Sequence, residues 1–483
     1  MSGWRLEHTY GDLPALLHAP VAPTPVRDPQ FVVFNTVLAE SLGLDVAALD
    51  TPAGAAIFAG NALPDGAQPL AQAYAGHQFG HFTALGDGRA ILLGEQIAPD
   101  GRRVDVQLKG AGPTPYSRRG DGRAAVGPML REFVISEAMH ALGIPTSRSL
   151  AVVSTGEPVV RERLLPGAVL TRVAASHLRV GTFEWVAAHR DTAVLRALVD
   201  YAVRRHYPEA ADSACPALAL FDAVVARQAA LIAQWQLVGF VHGVMNTDNM
   251  ALSGETLDYG PCAFLDAYDP ATVFSSIDAQ GRYAYGHQPA IAQWNLARLV
   301  EALLPLIDAD HARAVALANA SIARFEDRFQ EHWAAGMRAK LGLFDEAPDD
   351  DALSETLLAW MHETRADFTG TFRMLSTVDA AAAVAAADPA FEAWHARWQQ
   401  RLAQQPQSGG EVLALMQRRN PAVIPRNHQV EAALRAAEHD AELGPLERLL
   451  HAVATPFDHS GADAEFTVPP PPGSGAYRTF CGT

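Results

Sequence analysis

The sequence predicts an α+β fold in which a small sheet-containing lobe precedes a larger helical lobe. Three observations carry that reading. Glycines cluster at Gly76, Gly80, Gly86, Gly88 and Gly94, and short strand-forming runs follow them. One amphipathic pattern over 128–142 interrupts the runs, with Met129, Phe133, Ile135 and Met139 on a broad apolar face. From residue 166 onward helical periodicity takes over.

Residues 1–70 form an N-terminal extension, rich in Pro and Ala, that reads as an extended arm ending in a small helix. Residues 71–165 make the sheet lobe, with strands at 90–93 and 104–108, the helix, and strands at 150–154 and 158–163. Residues 166–345 open the helical lobe. A long helix over 218–237 breaks at Gly239, a loop-rich stretch spans 239–290, and a helix over 291–304 stops or kinks at Pro305. Residues 346–483 add a helical extension and a tail, including the alanine run 380–387 and a linker-like Pro469–Pro472.

Of 483 residues, 49% are hydrophobic and 19% charged, the balance of a folded chain rather than a disordered one. No uninterrupted run of about 18 apolar residues occurs, so no membrane span is expected. Met1–Glu7 has no apolar segment and carries an early acid, which fits neither a secretory signal nor a transit peptide and leaves the cytoplasm as the expected location. A formal charge of −17 argues against nucleic acid as a partner. Cys215, Cys262 and Cys481 lack CxxC spacing, so neither a zinc site nor a disulfide framework is expected.

Only two of the 37 basic residues are lysines, Lys109 and Lys340. Arginine serves this chain wherever a generic cation will do, so a retained lysine suggests a need for a compact ammonium. Lys340 falls on an expected helix surface. Neither lysine follows glycine, which excludes a Walker A loop.

Gly76–Phe82 and Leu85–Arg89 could bring backbone amides close to phosphate, with Arg89 adding charge; a pair of hairpin turns would look the same. His77 and His81 lie four apart, but flanking glycines oppose the helix that a metal pair would need. Lys109 ends a strand and Glu132 lies early in the next helix. They read either as a rigid pair that meets a phosphate or as a surface ion pair. Between them Ser117–Arg123 reads as a phosphate or ribose loop, or as a solvated turn.

The strongest signal is Phe240–Met250, followed nine residues after Asn249 by Asp258-Tyr259-Gly260. Kinases open a catalytic loop with His, place the catalytic Asp two residues on, and hold Mg²⁺ with a later Asn and the Asp of Asp-Phe-Gly. The His242-to-Asn249 spacing is kept here, but Val244 stands where the catalytic Asp belongs. Asp248 is the nearby carboxylate that could replace it.

These motifs resemble the selenoprotein O (YdiU) family of kinase-like protein adenylyltransferases. They are Gly86-Asp87-Gly88-Arg89, Lys109-Gly110, Ser117–Arg123, Asn246–Asn249 and Asp258-Tyr259-Gly260, and the likeness runs from the Gly76 region to the terminal Cys-Gly-Thr. The resemblance implies a protein-kinase-like bilobal fold. It implies that Lys109, steadied by Glu132, holds terminal phosphates with Arg172 and Arg179. Gly86, Gly88, Arg89, Asp121 and Gly122 would line the nucleotide, Asn249 and Asp258 would bind Mg²⁺ or Mn²⁺, and Asp248 would accept the proton. ATP would lie flipped relative to kinases, so that AMP passes to Ser, Thr or Tyr hydroxyls of proteins, the enzyme itself included. UMP transfer from UTP would use the same site, and a monomer is expected. A kinase with a displaced base and a non-catalytic ATP-binding scaffold are the other readings. Some members pair a cysteine after Asp-Tyr-Gly with the C-terminal one; here that position is Phe274, and Cys481 keeps the tail position.

Overall fold

A computed structural model describes residues 2–377, 379–471, 473–475 and 477–479. Its centre is an antiparallel sheet of nine strands. In chain order they are β1 (Leu6–Glu7), β2 (His18–Pro20), β3 (Gln30–Phe34) and β4 (Leu70–Gln72). After a separate hairpin of β5 (Ala75–Gln78) and β6 (His81–Ala84) come β7 (Ala90–Ile97), β8 (Arg103–Lys109) and β9 (Ala124–Ala125). The long β10 (Arg148–Val160) and β11 (Leu164–Ala174) complete it. The main path is β2-β4-β7-β8-β11-β10-β3, with β1 on β7 and β9 on β11.

Residues 1–70 are therefore more than an arm. Three of their segments are strands of the sheet, and β3 closes its edge by pairing Phe34 with Ala151. Strands of two to five residues show too little alternation to stand out in sequence. The segments expected at 150–154 and 158–163 are instead one strand, β10, and the turn that leads into β11. Register shifts between Ser154 and Pro158 mark a bulge in β10.

Both sheet faces are covered. The short helices α1 (Thr36–Ser41), α2 (Val46–Leu49) and α3 (Pro52–Phe58) lay Leu38, Leu42, Leu49 and Phe58 against Leu150 and Val153. Asn35 and Thr51 cap α1 and α3 by accepting from backbone N–H groups, and Pro52 begins α3 where its missing N–H costs nothing. On the other face α4 (Val126–Ala141) buries Met129, Leu130, Phe133 and Val134 against Val152 and Leu170. Each such side chain contributes roughly 1.5–3 kcal/mol when fully buried.

Beyond the sheet come α5 (Val180–Ala188), α6 (Thr192–His206), α7 (Pro216–Val238), α8 (Gln288–Ile307) and α9 (His311–Lys340), then shorter helices to Thr467. Gly239 takes φ 74° just past α7, the left-handed stop that glycine makes without strain. Pro305 does not end α8, which continues to Ile307. Two segments, Pro216–Val238 and Tyr285–Ile307, are long and apolar enough to cross a membrane by length and mean hydropathy (1.5 and 1.2). The expectation rested on an uninterrupted run, which Asp222 and Arg227 break in the first. About half of the most apolar 18-residue stretch in each (56% and 50%) is buried inside the protein, where α7 packs on α8 and α9.

Lys340 corrects another expectation. It is 3% exposed, at the end of α9, with its ammonium 3.9 Å from the Phe372 ring centroid and 5.6 Å from that of Phe368. Burial pulls its pKa down to about 7.

Candidate active site

The strand order puts β8 at the middle of the sheet, and its last residue, Lys109, points toward α4. Its Nζ donates to Glu132 Oε2 at 2.6 Å, with the two side chains 7% and 2% exposed. The pair is therefore not a surface ion pair. Lys109 also donates to Asp258 Oδ1. From the neighbouring strand β11, Arg172 reaches both carboxylates, at 3.2 Å to Glu132 and 3.5 Å to Asp258, while Gln107 Oε1 accepts from its Nη2 at 2.7 Å. Two cations and two carboxylates thus form one cluster, buried except for the partly exposed Asp258. Burial alone would raise the Asp258 carboxyl, but Lys109, Arg172 and Arg179 outweigh it and hold the group well below the usual range. Asp258 sits at φ 69°, a conformation uncommon for a residue other than glycine.

The loop from His242 to Asn249 is held from several sides. His242 is buried and lies 3.0 Å from the Leu257 carbonyl through Nε2, and burial lowers its pKa. Asn249 Nδ2 donates to the Val244 carbonyl at 3.0 Å, which leaves its amide oxygen for another partner. Asp248 lies under the β5–β6 hairpin so closely that a Cβ on Gly76 would strike its carboxylate. Burial pushes the Asp248 carboxyl up to about 7 against the pull of Arg179, and Oδ1 has no hydrogen-bond partner among the described residues. Arg179 Nη1 donates to the Asp248 backbone carbonyl at 3.2 Å, and its guanidinium stacks 4.3 Å from the Tyr74 ring centroid.

Lys109, Glu132, Asn249, Asp258 and Arg89 line a cleft of about 640 Å³ together with Val244, Tyr259 and Gly260. The far wall comes from helix Asn427–Arg435 and the tail. Arg131 donates to Tyr477 Oη at 3.0 Å and to Glu431, and Tyr477 donates to Glu431 at 2.6 Å. Not every expected residue reaches this space. Gly86 and Gly88 pack on Tyr116 and Ser117. Asp121 pairs with Arg161 at 2.9 Å, Gly122 abuts Gly112 and Pro113, and neither lines the cleft.

Asn249 Oδ1 and the partly exposed Asp258 carboxylate offer hard oxygen donors to one side of the cleft. They fit a Mg²⁺-type ion, which takes one or two protein ligands and fills the rest with phosphate and water. Among the described residues no group of three His, Cys, Asp or Glu side chains converges as a metal cage. His77 and His81 lie on opposite strands of the hairpin, where His77 pairs with Phe82 and His81 with Gln78. Cys262 is buried and its thiol is pushed up to about 12, while Cys481 lies outside the described residues.

Sequence reasoning missed a second clamp on the loop. Thr247 Oγ1 donates to Glu184 Oε2 at 2.5 Å and accepts from the His77 N–H at 2.7 Å, while His77 Nδ1 lies 2.5 Å from Glu184 Oε1. These residues are 63 to 170 positions apart in pairs, and nothing local marks them.

The family model described as protein adenylyltransferase SelO matches residues 6–454. Similar proteins include the protein nucleotidyltransferase YdiU of Halalkalibacterium halodurans, 59% identical over 483 residues with 100% of this chain and 98% of that one covered. Those of Bacillus cytotoxicus (56%; 100% and 98% covered) and Geobacillus kaustophilus (57%; 100% of both) are alike. With a match of that extent and relatives of that identity, this chain belongs to the SelO family of protein adenylyltransferases.

Proposed function

We propose that this chain transfers AMP from ATP to Ser, Thr or Tyr hydroxyls of proteins, itself included, and UMP from UTP by the same route. The observation that supports it most is the pairing of Lys109 and Arg172 around Asp258 at the head of a cleft that Asn249, the neighbour of Asp248 in the chain, also lines. Lys109, Arg172 and Arg179 would hold the β- and γ-phosphates as a leaving group. The acceptor oxygen then forms a bond to the α-phosphorus, the bond from that phosphorus to the bridging oxygen breaks, and pyrophosphate departs. Asp248 takes the hydroxyl proton; a carboxyl titrating near 7 is well matched to that task. Mg²⁺ or Mn²⁺ on Asn249 and Asp258 would supply neutralisation of the leaving phosphates.

In this reading the sheet with α4 and the helices beyond it are the two lobes of a protein-kinase-like fold. Arg89 would meet the nucleotide from the sheet side, with Gly86, Gly88, Asp121 and Gly122 shaping the loops behind it, and the enzyme would work as a cytoplasmic monomer. Label from α-³²P ATP on protein, with pyrophosphate released, is the expected result. Label from the γ position with ADP released would make this a kinase with a displaced base. Nucleotide binding without either product would make it a scaffold.

A further inference from the structure

The β5–β6 hairpin, which covers Asp248, carries on its outer side a surface that nucleotide transfer leaves unused. Phe79 N–H and the Tyr283 hydroxyl both donate to Asn246 Oδ1, at 3.0 and 2.5 Å, so hairpin and segment 282–283 are tied two residues from Asp248. Gly80 faces the Arg282 guanidinium, whose carbon would lie 3.7 Å from a Cβ placed there. That guanidinium is 4.8 Å from the Trp294 ring centroid, and Arg298 lies 4.9 Å from the same ring. The His77 ring meets Trp294 and Phe82 edge-on at 5.4 and 5.5 Å, and Phe82 is 48% exposed.

The charges on this patch are unequal. Arg298 is paired with Glu301 at 2.6 Å. Arg282 has no carboxylate partner among the described residues: the adjacent Asp278 spends both oxygens on the backbone N–H groups of Arg282 and Tyr283, at 3.0 and 2.8 Å. Its Nε is buried without a partner among those residues. In a chain of net charge −17, a cation stacked on tryptophan and left without an anion is conspicuous. Aromatic and arginine side chains dominate binding energy at protein interfaces, and a guanidinium fixed on a ring offers a pre-formed fork for a carboxylate. Long-range repulsion from the acidic surface is screened beyond about 8 Å at physiological salt, so the contacting pair decides.

We propose that Trp294, Phe82 and Arg282 form the docking surface for the protein acceptor, and that the acceptor segment carries an Asp or Glu close to the hydroxyl to be modified. The inference rests on the transferase reading above. The carboxylate pairs with Arg282 while an apolar neighbour lies across Trp294 and Phe82, and the acceptor is thereby held against the segment that Asn246 ties to the hairpin, two residues from Asp248.

The test uses the full chain and two peptides of about a dozen residues, each with Ser, Thr and Tyr, flanked in one by Asp and Glu and in the other by Lys. Transfer is followed from α-³²P ATP. The wild type is expected to show a KM for the acidic peptide at least ~10-fold lower. Arg282→Glu is expected to invert that preference with kcat nearly unchanged and nucleotide affinity intact by calorimetry, and Arg298→Glu to shift it the same way by less. Equal KM values on the wild type, or a loss on both peptides alike in both variants, would overturn the docking surface while self-labelling from the α position kept the transferase reading. Absence of α label on either peptide and on the enzyme itself, with ATP bound, would remove the transferase reading, and the docking surface with it.

Discussion

Lys109 and Glu132 meet at 2.6 Å between the central strand and the helix beneath it, and neither side chain reaches solvent appreciably. Glu132 also serves Arg172, so one carboxylate balances two buried cations. Removing it leaves both cations to the partly exposed Asp258 alone, and breaking a buried pair typically costs about 3–5 kcal/mol. Glu132→Ala should therefore lower the urea midpoint markedly, whereas Glu132→Gln should recover part of the loss. A midpoint equal to wild type in Glu132→Ala would contradict the burial argument.

Asp258 is the anion that Lys109 and Arg172 share on the cleft side. Asp258→Ala should leave the fold intact, because Glu132 still neutralises the cluster, yet reduce transfer at least ~10²-fold, the scale of one lost electrostatic stabiliser. Circular dichroism beside steady-state turnover separates these effects; wild-type turnover in Mg²⁺ would remove Asp258 from the site.

For Asp248 the expected loss on replacement by Ala is roughly 10²–10⁴-fold in kcat with nucleotide affinity nearly unchanged. A change of less than a few-fold would reduce it to a loop acid.

Gly76 tests the hairpin rather than the acid. A methyl group there would push against the Asp248 carboxylate, and misplacement by about 1 Å can cost ~10² in rate. Gly76→Ala should keep its melting temperature within a few degrees while turnover falls by at least ~10-fold. Unaltered turnover would show that the hairpin yields.

Lys340 supplies a pH signature. Its folded pKa is lowered to about 7 from an ordinary 10.5. Between those values the unfolded chain holds a proton that the folded chain lacks, so stability rises with pH across that window; below 7 the full cost of the buried ammonium is present. A tenfold change in proton affinity is worth about 1.4 kcal/mol, so Lys340→Met should stabilise the protein near pH 6.5 by on the order of 3–5 kcal/mol. The gain should shrink toward pH 10. A difference that does not vary between pH 6.5 and 10 would mean the lysine is not held in a desolvated site.

What the sequence disclosed was local. The strand ending in Lys109, the helix bearing Glu132, and the spacing from His242 to Asn249 and on to Asp258 are patterns within a few turns of chain, and the structure has each of these elements in order. What it hid was assembled across distance. Lys340 looked like a surface residue because the two rings beneath it arrive from a helix about thirty residues on. The Glu184–Thr247–His77 clamp joins α5, the loop and the hairpin, with no spacing to announce it. Asp121 and Gly122 illustrate the reverse, since a loop rich in arginine and glycine is compatible with a ligand, but here Asp121 is engaged by Arg161.

The pairing of β3 with β10 also has a consequence for the order in which the chain can be assembled. Phe34 must wait for Ala151, 117 positions later (151 − 34), before its edge of the sheet can close. At a synthesis rate of about 5–20 residues per second, that interval lasts roughly 6–23 s. Throughout it Gln30–Phe34, with two phenylalanines and two valines in five residues, leaves the ribosome as an unpaired strand. Until β10 arrives, that apolar stretch carries a row of unpaired backbone groups of the kind that invites pairing with another chain, although Arg89, Lys109 and Glu132 of the cleft have already been made.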